Sequence, residues 1–131
     1  MNVPGSLIDA VVRVATVRPE IRAIYLFGSQ ATGAARPDSD VDVGVLYISR
    51  QPLAVTLQLE GEIEQALGRK VDVVDAAAAG AFLALEIVRG ERIFCRDSTE
   101  TDRFELYVLR RAGDLLPFER ERQALLGLPS R

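Results

Sequence analysis

The stretch from Tyr25 to Leu46, YLFGSQATGAARPDSDVDVGVL, leaves this chain few folds to choose from. It reads as an apolar strand, a Gly-Ser turn, a loop of small residues and a second strand that carries acids. Along a strand successive side chains alternate faces, so Val41, Val43 and Val45 point one way and Asp40 and Asp42 the other. The valines can enter a core while two carboxylates stand together on the opposite face. Neighbouring like charges repel, which favours a proton on one of them. A divalent cation removes that cost, and paired magnesium ions about 3.5–4 Å apart are the usual partners of such acids in phosphoryl-type transfer.

The turn points to the same ligand. Ile24, Leu26 and Phe27 predict a buried strand that runs directly into Gly28-Ser29. Glycine lets the main chain bend sharply and lets a ligand approach it closely. A helix beginning near Ser29 would aim free N–H groups outward, and phosphate is their favoured guest. One side of the unit therefore offers phosphate donors and the other metal ligands, which outlines a triphosphate site.

Other motifs fit poorly. Gly28 to Gly33 opens like a P-loop, but Ala34-Ala35 stand where Lys and Ser/Thr are required. Asp38, Asp40 and Asp42 imitate an EF-hand, but Val43 holds the turn position and Ser49 that of the bidentate Glu. The bland alternative is a solvated hairpin, since Pro37-Asp38-Ser39 is good turn chemistry.

Gly28-Ser29, a ten-residue gap and Asp40-x-Asp42, flanked by apolar strands, resemble the DNA polymerase β-like nucleotidyltransferase superfamily. More narrowly, FGSQATGAARPDSDVDVGVL is similar to the minimal nucleotidyltransferases, short proteins of which many are antitoxins paired with a HEPN-domain toxin. The resemblance covers about the first hundred residues in element order. It implies an α/β fold with a small mixed sheet flanked by helices and a helical tail. Residues 1–97 are expected to form the core and 98–131 an extension packed on it.

Composition narrows the class. With 131 residues the chain suits one domain. A net charge of −3 is ill suited to gripping a nucleic-acid backbone. There is no histidine, which removes His bases, Ser-His-Asp triads and His-containing zinc sites. The single Cys95 cannot form an internal disulfide, no signal-peptide pattern opens the chain, and no apolar run approaches a membrane span. A cytoplasmic protein is expected.

In chain order, residues 6–18 read as a helix capped by Ser6, and Ile21 to Phe27 as the first strand. Arg36-Pro37 stiffens the entry to the aspartate strand, 40–48. Arg36 and Ser39, between the cradle and the acids, join Gly28 and Ser29 as candidate nucleotide-binding residues, although an ordinary surface arginine is an equal alternative for Arg36. Pro52 opens a helix to Leu67, on which Glu60, Glu62 and Glu64 are expected to be solvated, and Gly68 ends it.

Val71-Asp72-Val73-Val74-Asp75 is the next strand. An acid framed by valines demands an explanation. If this strand lies beside the first acidic one, Asp72 can face Asp40 and Asp42. Strand parity favours Asp72 over Asp75, which instead suits a helix cap. The superfamily carries its third acid on such a strand, so the resemblance assigns that role to Asp72.

A largely buried helix over 82–89 follows, with Phe82 and Leu83 among its apolar residues, then Gly90 and a strand at Arg92 to Cys95. In the tail, Thr99-x-x-Asp102 looks like a capping box, and Pro117 is expected to separate a first helix from a second, Phe118 to Leu126.

The resemblance implies that Asp40, Asp42 and Asp72 hold two Mg2+ ions, that ATP is the donor and that a tyrosine of a HEPN toxin is the acceptor, giving AMPylation. Two rivals differ in class: an antitoxin that neutralises its partner by docking alone, and a small-molecule adenylyltransferase of the aminoglycoside type completed by a partner subunit.

Overall fold

Alternating apolar residues set the sheet. In the computed structural model, which describes residues 5–28 and 40–127, four strands assemble in the order β3-β2-β1-β4. They are β1 (Ile21–Phe27), β2 (Val41–Tyr47), β3 (Val71–Asp75) and β4 (Glu91–Cys95). β1 runs antiparallel to both β2 and β4, whereas β2 and β3 are parallel, so the sheet is mixed. The parallel pair requires a crossover, supplied by α2 (Leu53–Leu67). The other described helices are α1 (Gly5–Thr16), α3 (Ala81–Val88) and α4 (Ser98–Leu125).

The strands' period of two sorts the core into two layers. Val41, Val43, Val45, Ile24 and Leu26 pack beneath α1 and α2 with Leu7, Val11, Leu59 and Ile63. Ala23, Tyr25, Phe27 and Leu46 face the other way, toward Ile87 of α3 and Phe104 of α4. Asp42 is on this second face, because Phe27 is its cross-strand neighbour.

Several local readings change in the assembled molecule. Glu60 and Glu64 do not simply solvate α2: their carboxylates accept hydrogen bonds from the backbone N–H groups of Val73 and Val71, each at 2.9 Å. β3 is an edge strand, so those N–H groups have no strand partner and the glutamates satisfy them. Glu62 pairs with Arg18. Ser6 lies inside α1, which is already helical at Gly5.

Gly68 ends α2 in the left-handed conformation, φ 65°, as expected. The helix predicted over 82–89 is only partly buried: Ala81, Ala84 and Ile87 face inward, while Phe82 and Leu83 are 38% and 39% exposed.

Pro117 does not split the tail. α4 runs unbroken past it. Proline deletes the bond to the carbonyl four residues back, here that of Gly113. Gly113 is exposed, so water can take that bond. The cap is Asp97, whose side chain accepts from Glu100 N, while Thr101 Oγ1 donates to the Asp97 carbonyl at 2.7 Å.

α4 is anchored to the sheet by a polar network. The fully buried Tyr25 donates its hydroxyl to Glu105 at 2.6 Å, and Arg92 donates to Glu105 and to Asp102, each at 2.9 Å. Burial, then the Glu105 carboxylate, push the Tyr25 hydroxyl's pKa far up, so it remains a donor. Tyr25→Phe is expected to cost about 1–2 kcal/mol, because a hydrogen bond to a charged acceptor is lost while Arg92 still holds Glu105. Urea unfolding monitored by circular dichroism checks this.

Candidate active site

The acids gather where β2 and β3 begin. Parallel register sets Asp42 beside Asp72, and Val41 N–H donates to the Lys70 carbonyl at 3.1 Å, closing the start of the pair. Asp40, two residues before Asp42, falls on the same side by parity. Its carboxylate lies 3.9 Å from the Lys70 ammonium, a wide and solvent-exposed contact. Asp75 is elsewhere. It pairs with Val45, on the opposite face from Asp72, and its Oδ1 accepts from Ala77 N–H at 3.1 Å. It therefore caps the turn that leads toward α3 and not the helix itself, whose N-cap is Gly80.

Gly28 closes the site from β1. Its φ of 66° is left-handed, and a Cβ there would lie 2.4 Å from Asp42 Oδ2. The absent side chain is what lets the Asp42 carboxylate lie against the turn. Ser29, Arg36 and Ser39 lie outside the described residues.

Burial pushes the Asp42 carboxyl's pKa up, and Asp72, Asp40 and Glu86 add to the shift in that order. Glu86 belongs to α3 and was not singled out in the sequence, where it is one acid in an apolar helix. Which way it points depends on how α3 docks. Among the described residues no three His, Cys, Asp or Glu side chains come close enough to enclose an ion by themselves. Magnesium does not need such a cage: one or two carboxylates plus substrate phosphate oxygens commonly hold it. A donor set made of carboxylate oxygens, with no imidazole or thiolate among Asp40, Asp42 and Asp72, suits a hard cation. Gly28, whose missing side chain leaves room for the Asp42 carboxylate, brings the end of β1 against these oxygens. The residues therefore fit Mg2+ carried with a nucleotide.

A cavity of about 850 Å³ lies at the other end of β2 and β3, lined by Tyr47, Thr56, Val73 and Asp75 among others. It includes none of the three acids. Among the described residues no helix is long and apolar enough to cross a membrane.

The family model of polymerase β nucleotidyltransferases matches residues 10–99. The protein adenylyltransferase MntA of Aphanizomenon flos-aquae (strain 2012/KM1/D3) is 32% identical over 108 residues, which span 74% of this chain and 72% of that protein. A toxin–antitoxin crystal structure with AMP-PNP has a TM-score of 0.77 at 24% identity, covering 92% of this chain and 95% of its own. A complex of a tri-AMPylated Shewanella oneidensis HEPN toxin with an MNT antitoxin has a TM-score of 0.72 at 22% identity, covering 92% and 93%. At those identities the structural likeness speaks for the fold. The domain match, the MntA relative and the mixed sheet with its C-terminal helix agree: the chain belongs to the polymerase β nucleotidyltransferase family, in its minimal MntA branch.

Proposed function

We propose that this nucleotidyltransferase moves AMP from ATP to a hydroxyl of a partner protein, a tyrosine of a HEPN toxin, and thereby acts as its antitoxin. The observation that carries the reading is the Asp42–Asp72 pair, set side by side by the β2–β3 register against a glycine that a side chain would block. The MntA relative is a protein adenylyltransferase, and a related fold was crystallised with an AMPylated HEPN toxin.

Asp40 and Asp42 would hold Mg2+, two ions in all, with Asp72 completing the set on the acceptor's side. When bound, the metal supplies charge neutralisation for the triphosphate and for the leaving pyrophosphate. Gly28 and Ser29 orient the β- and γ-phosphates through main-chain donors, with Arg36 and Ser39 as further nucleotide contacts. The acceptor oxygen attacks the α-phosphorus in line. A new O–P bond forms, the bond to the β-phosphate oxygen breaks, and Asp72 receives the hydroxyl proton. Positioning and charge do the chemistry, which suits a site with no histidine.

The test is intact-mass measurement of the HEPN partner after incubation with this protein, ATP and magnesium. A gain of one or more adenylyl groups, lost when the metal is chelated, is the expected result. Neutralisation of the toxin with no mass change would replace transfer with docking alone.

A further inference from the structure

We propose that the cavity at the carboxyl ends of β2 and β3 is a second nucleotide site, one that holds a nucleoside phosphate without a metal ion. It is separate from the acids and does not depend on the adenylyl-transfer reading above.

The cavity lies where a ligand is expected from topology. β2 and β3 are parallel neighbours, and α2 is the crossover between them. The space of about 850 Å³ lies where both strands end and α2 begins. Small ligands settle at that end of parallel strands, where a crossover helix presents its N-terminus. The volume falls within the ~300–1,000 Å³ of small-molecule sites. Asp42 and Tyr47 are five residues apart on β2, which puts the cavity about 17 Å from the acids at roughly 3.3 Å per residue.

Three polar features of different kinds line it. The first is a buried donor. Tyr47 and Thr56 are 7% and 5% exposed, and their hydroxyl oxygens lie 2.8 Å apart. Two hydroxyls carry two hydrogens, and the bond between them uses one. Among the described residues neither oxygen has another partner, so one hydrogen is left undonated on the cavity wall. Burial pushes the Tyr47 hydroxyl's pKa up, so the pair keeps both hydrogens at neutral pH. A buried donor without an acceptor costs free energy, which an acceptor atom of a ligand removes.

The second feature is a carboxylate. Asp75 pairs with Val45 and so shares the face of Tyr47, beneath α2. Its Oδ1 accepts from Ala77 N–H, and among the described residues its other oxygen has no partner. The third is positive. α2 starts after Pro52 with no side-chain cap and no acid in its first turn, so its leading N–H groups and its dipole are unanswered. Arg50, two residues before that proline, also lines the cavity and makes no ion pair among the described residues. Leu53, Val74 and Ala79 make the wall between these groups apolar.

A ligand that meets all three has an anionic end, hydroxyl groups and an apolar-faced body with acceptor atoms. A nucleoside phosphate has each of them. Its phosphate suits Arg50 and the start of α2, its ribose hydroxyls suit Asp75, and its base suits the hydroxyl pair and the apolar wall. An acid at the end of the second strand of a βαβ unit also holds ribose in dinucleotide folds. Residues 48–52 contain no glycine, so Arg50 takes the part a glycine loop plays there. A fatty acid would satisfy Arg50 but leave Asp75 against alkyl chain, and bare phosphate would leave the apolar wall and the hydroxyl pair unused.

Titration calorimetry of the full chain in EDTA tests this, because the chelator silences the metal-dependent acids. The probes are AMP, GMP, CMP and UMP, with their nucleosides and inorganic phosphate beside them. At least one nucleotide is expected to bind one-to-one, about tenfold or more tighter than its nucleoside or phosphate, and equally well to Asp40→Ala combined with Asp42→Ala. Arg50→Ala should weaken that nucleotide about tenfold and leave the nucleoside unchanged. Asp75→Asn keeps an oxygen for Ala77 N–H, and should weaken the nucleotide about tenfold but not its 2′,3′-dideoxy form. Circular dichroism confirms that each variant is folded. No saturable binding of any of the four by the wild type overturns the inference. So does binding lost in the double variant, which would place the nucleotide at the acids. Affinity unmoved by Arg50→Ala and Asp75→Asn, or phosphate bound as tightly as the nucleotide, overturns it too. Adenylyl transfer is measured separately in magnesium, so failure of one reading leaves the other standing.

Discussion

Asp42→Asn is expected to reduce adenylyl transfer by about a thousandfold or more and, in the metal-free protein, to raise the melting temperature. The first effect follows from losing a metal ligand at a site whose catalysis is charge neutralisation. The second follows from the position of Asp42. Burial and the charges of Asp72, Asp40 and Glu86 raise its pKa in the folded state above the unfolded value. The fold therefore holds the proton more tightly than the unfolded chain does. Stability is fullest below the unfolded carboxylate pKa and declines as pH rises through the folded one. At neutral pH the ionised Asp42 is a liability, and asparagine removes it. A gain of about 0.5–1 kcal/mol is reasonable for a partly exposed group among like charges. Thermal melts between pH 4 and pH 8 (about the span in which carboxylates with raised pKa titrate) should show wild type losing stability as pH rises, and the variant much less. Magnesium with an ATP analogue should stabilise the wild type and do little for the variant. A variant that melts lower than wild type at neutral pH, or that still transfers AMP, contradicts this account. Loss of transfer with the fold intact is likewise expected for Asp40→Ala combined with Asp42→Ala.

Gly90→Ala is expected to be the most damaging small substitution among the described glycines. A Cβ there would lie 2.1 Å from the Leu26 carbonyl oxygen and 3.0 Å from both Leu26 C and Phe27 Cβ. Two of these atoms are backbone and the third is fixed directly to it, so relief requires moving β1 away from the start of β4. Overpacking of that kind costs about 2–4 kcal/mol, on the order of 10 °C in melting temperature for a chain of this size. The damage should reach the site as well, because Phe27 leads directly into Gly28, so affinity for a non-hydrolysable ATP analogue should weaken. Gly61→Ala is the control: it sits in α2 with open space around it and should be neutral or slightly stabilising. Equal melting temperatures for the two variants would show that β1 and β4 have room to part.

The difference between these glycines shows what a linear reading can reach. At Gly90 the sequence suggests a helix stop, and α3 does end nearby, but with Arg89 as its cap. The requirement for glycine comes from a strand more than sixty residues earlier (Leu26 to Gly90) and is invisible to local pattern. Pro117 is the converse case. A strong local breaker is tolerated because the carbonyl it deprives, that of Gly113, is exposed in a long helix.

Within the site, alternation alone put Asp42 on the face opposite the valines and separated Asp72 from Asp75, since a period of two needs no knowledge of neighbours. Local pattern also located β1, β2, β3 and the end of α2 at Gly68. Whether Asp42 and Asp72 stand side by side depends on β3 being the parallel neighbour of β2, and many strand orders are compatible with these segments. Glu60 and Glu64 serve the backbone of β3 because that strand is an edge, and Ile87 docks over Gly44 because the glycine leaves space for it. The chain thus determined by itself which residues alternate, turn and stop, since those depend on bonds and on neighbours a few positions away. The tertiary structure decided which acids meet and which carboxylates are taken by backbone, because proximity between distant segments comes from packing that no single segment contains.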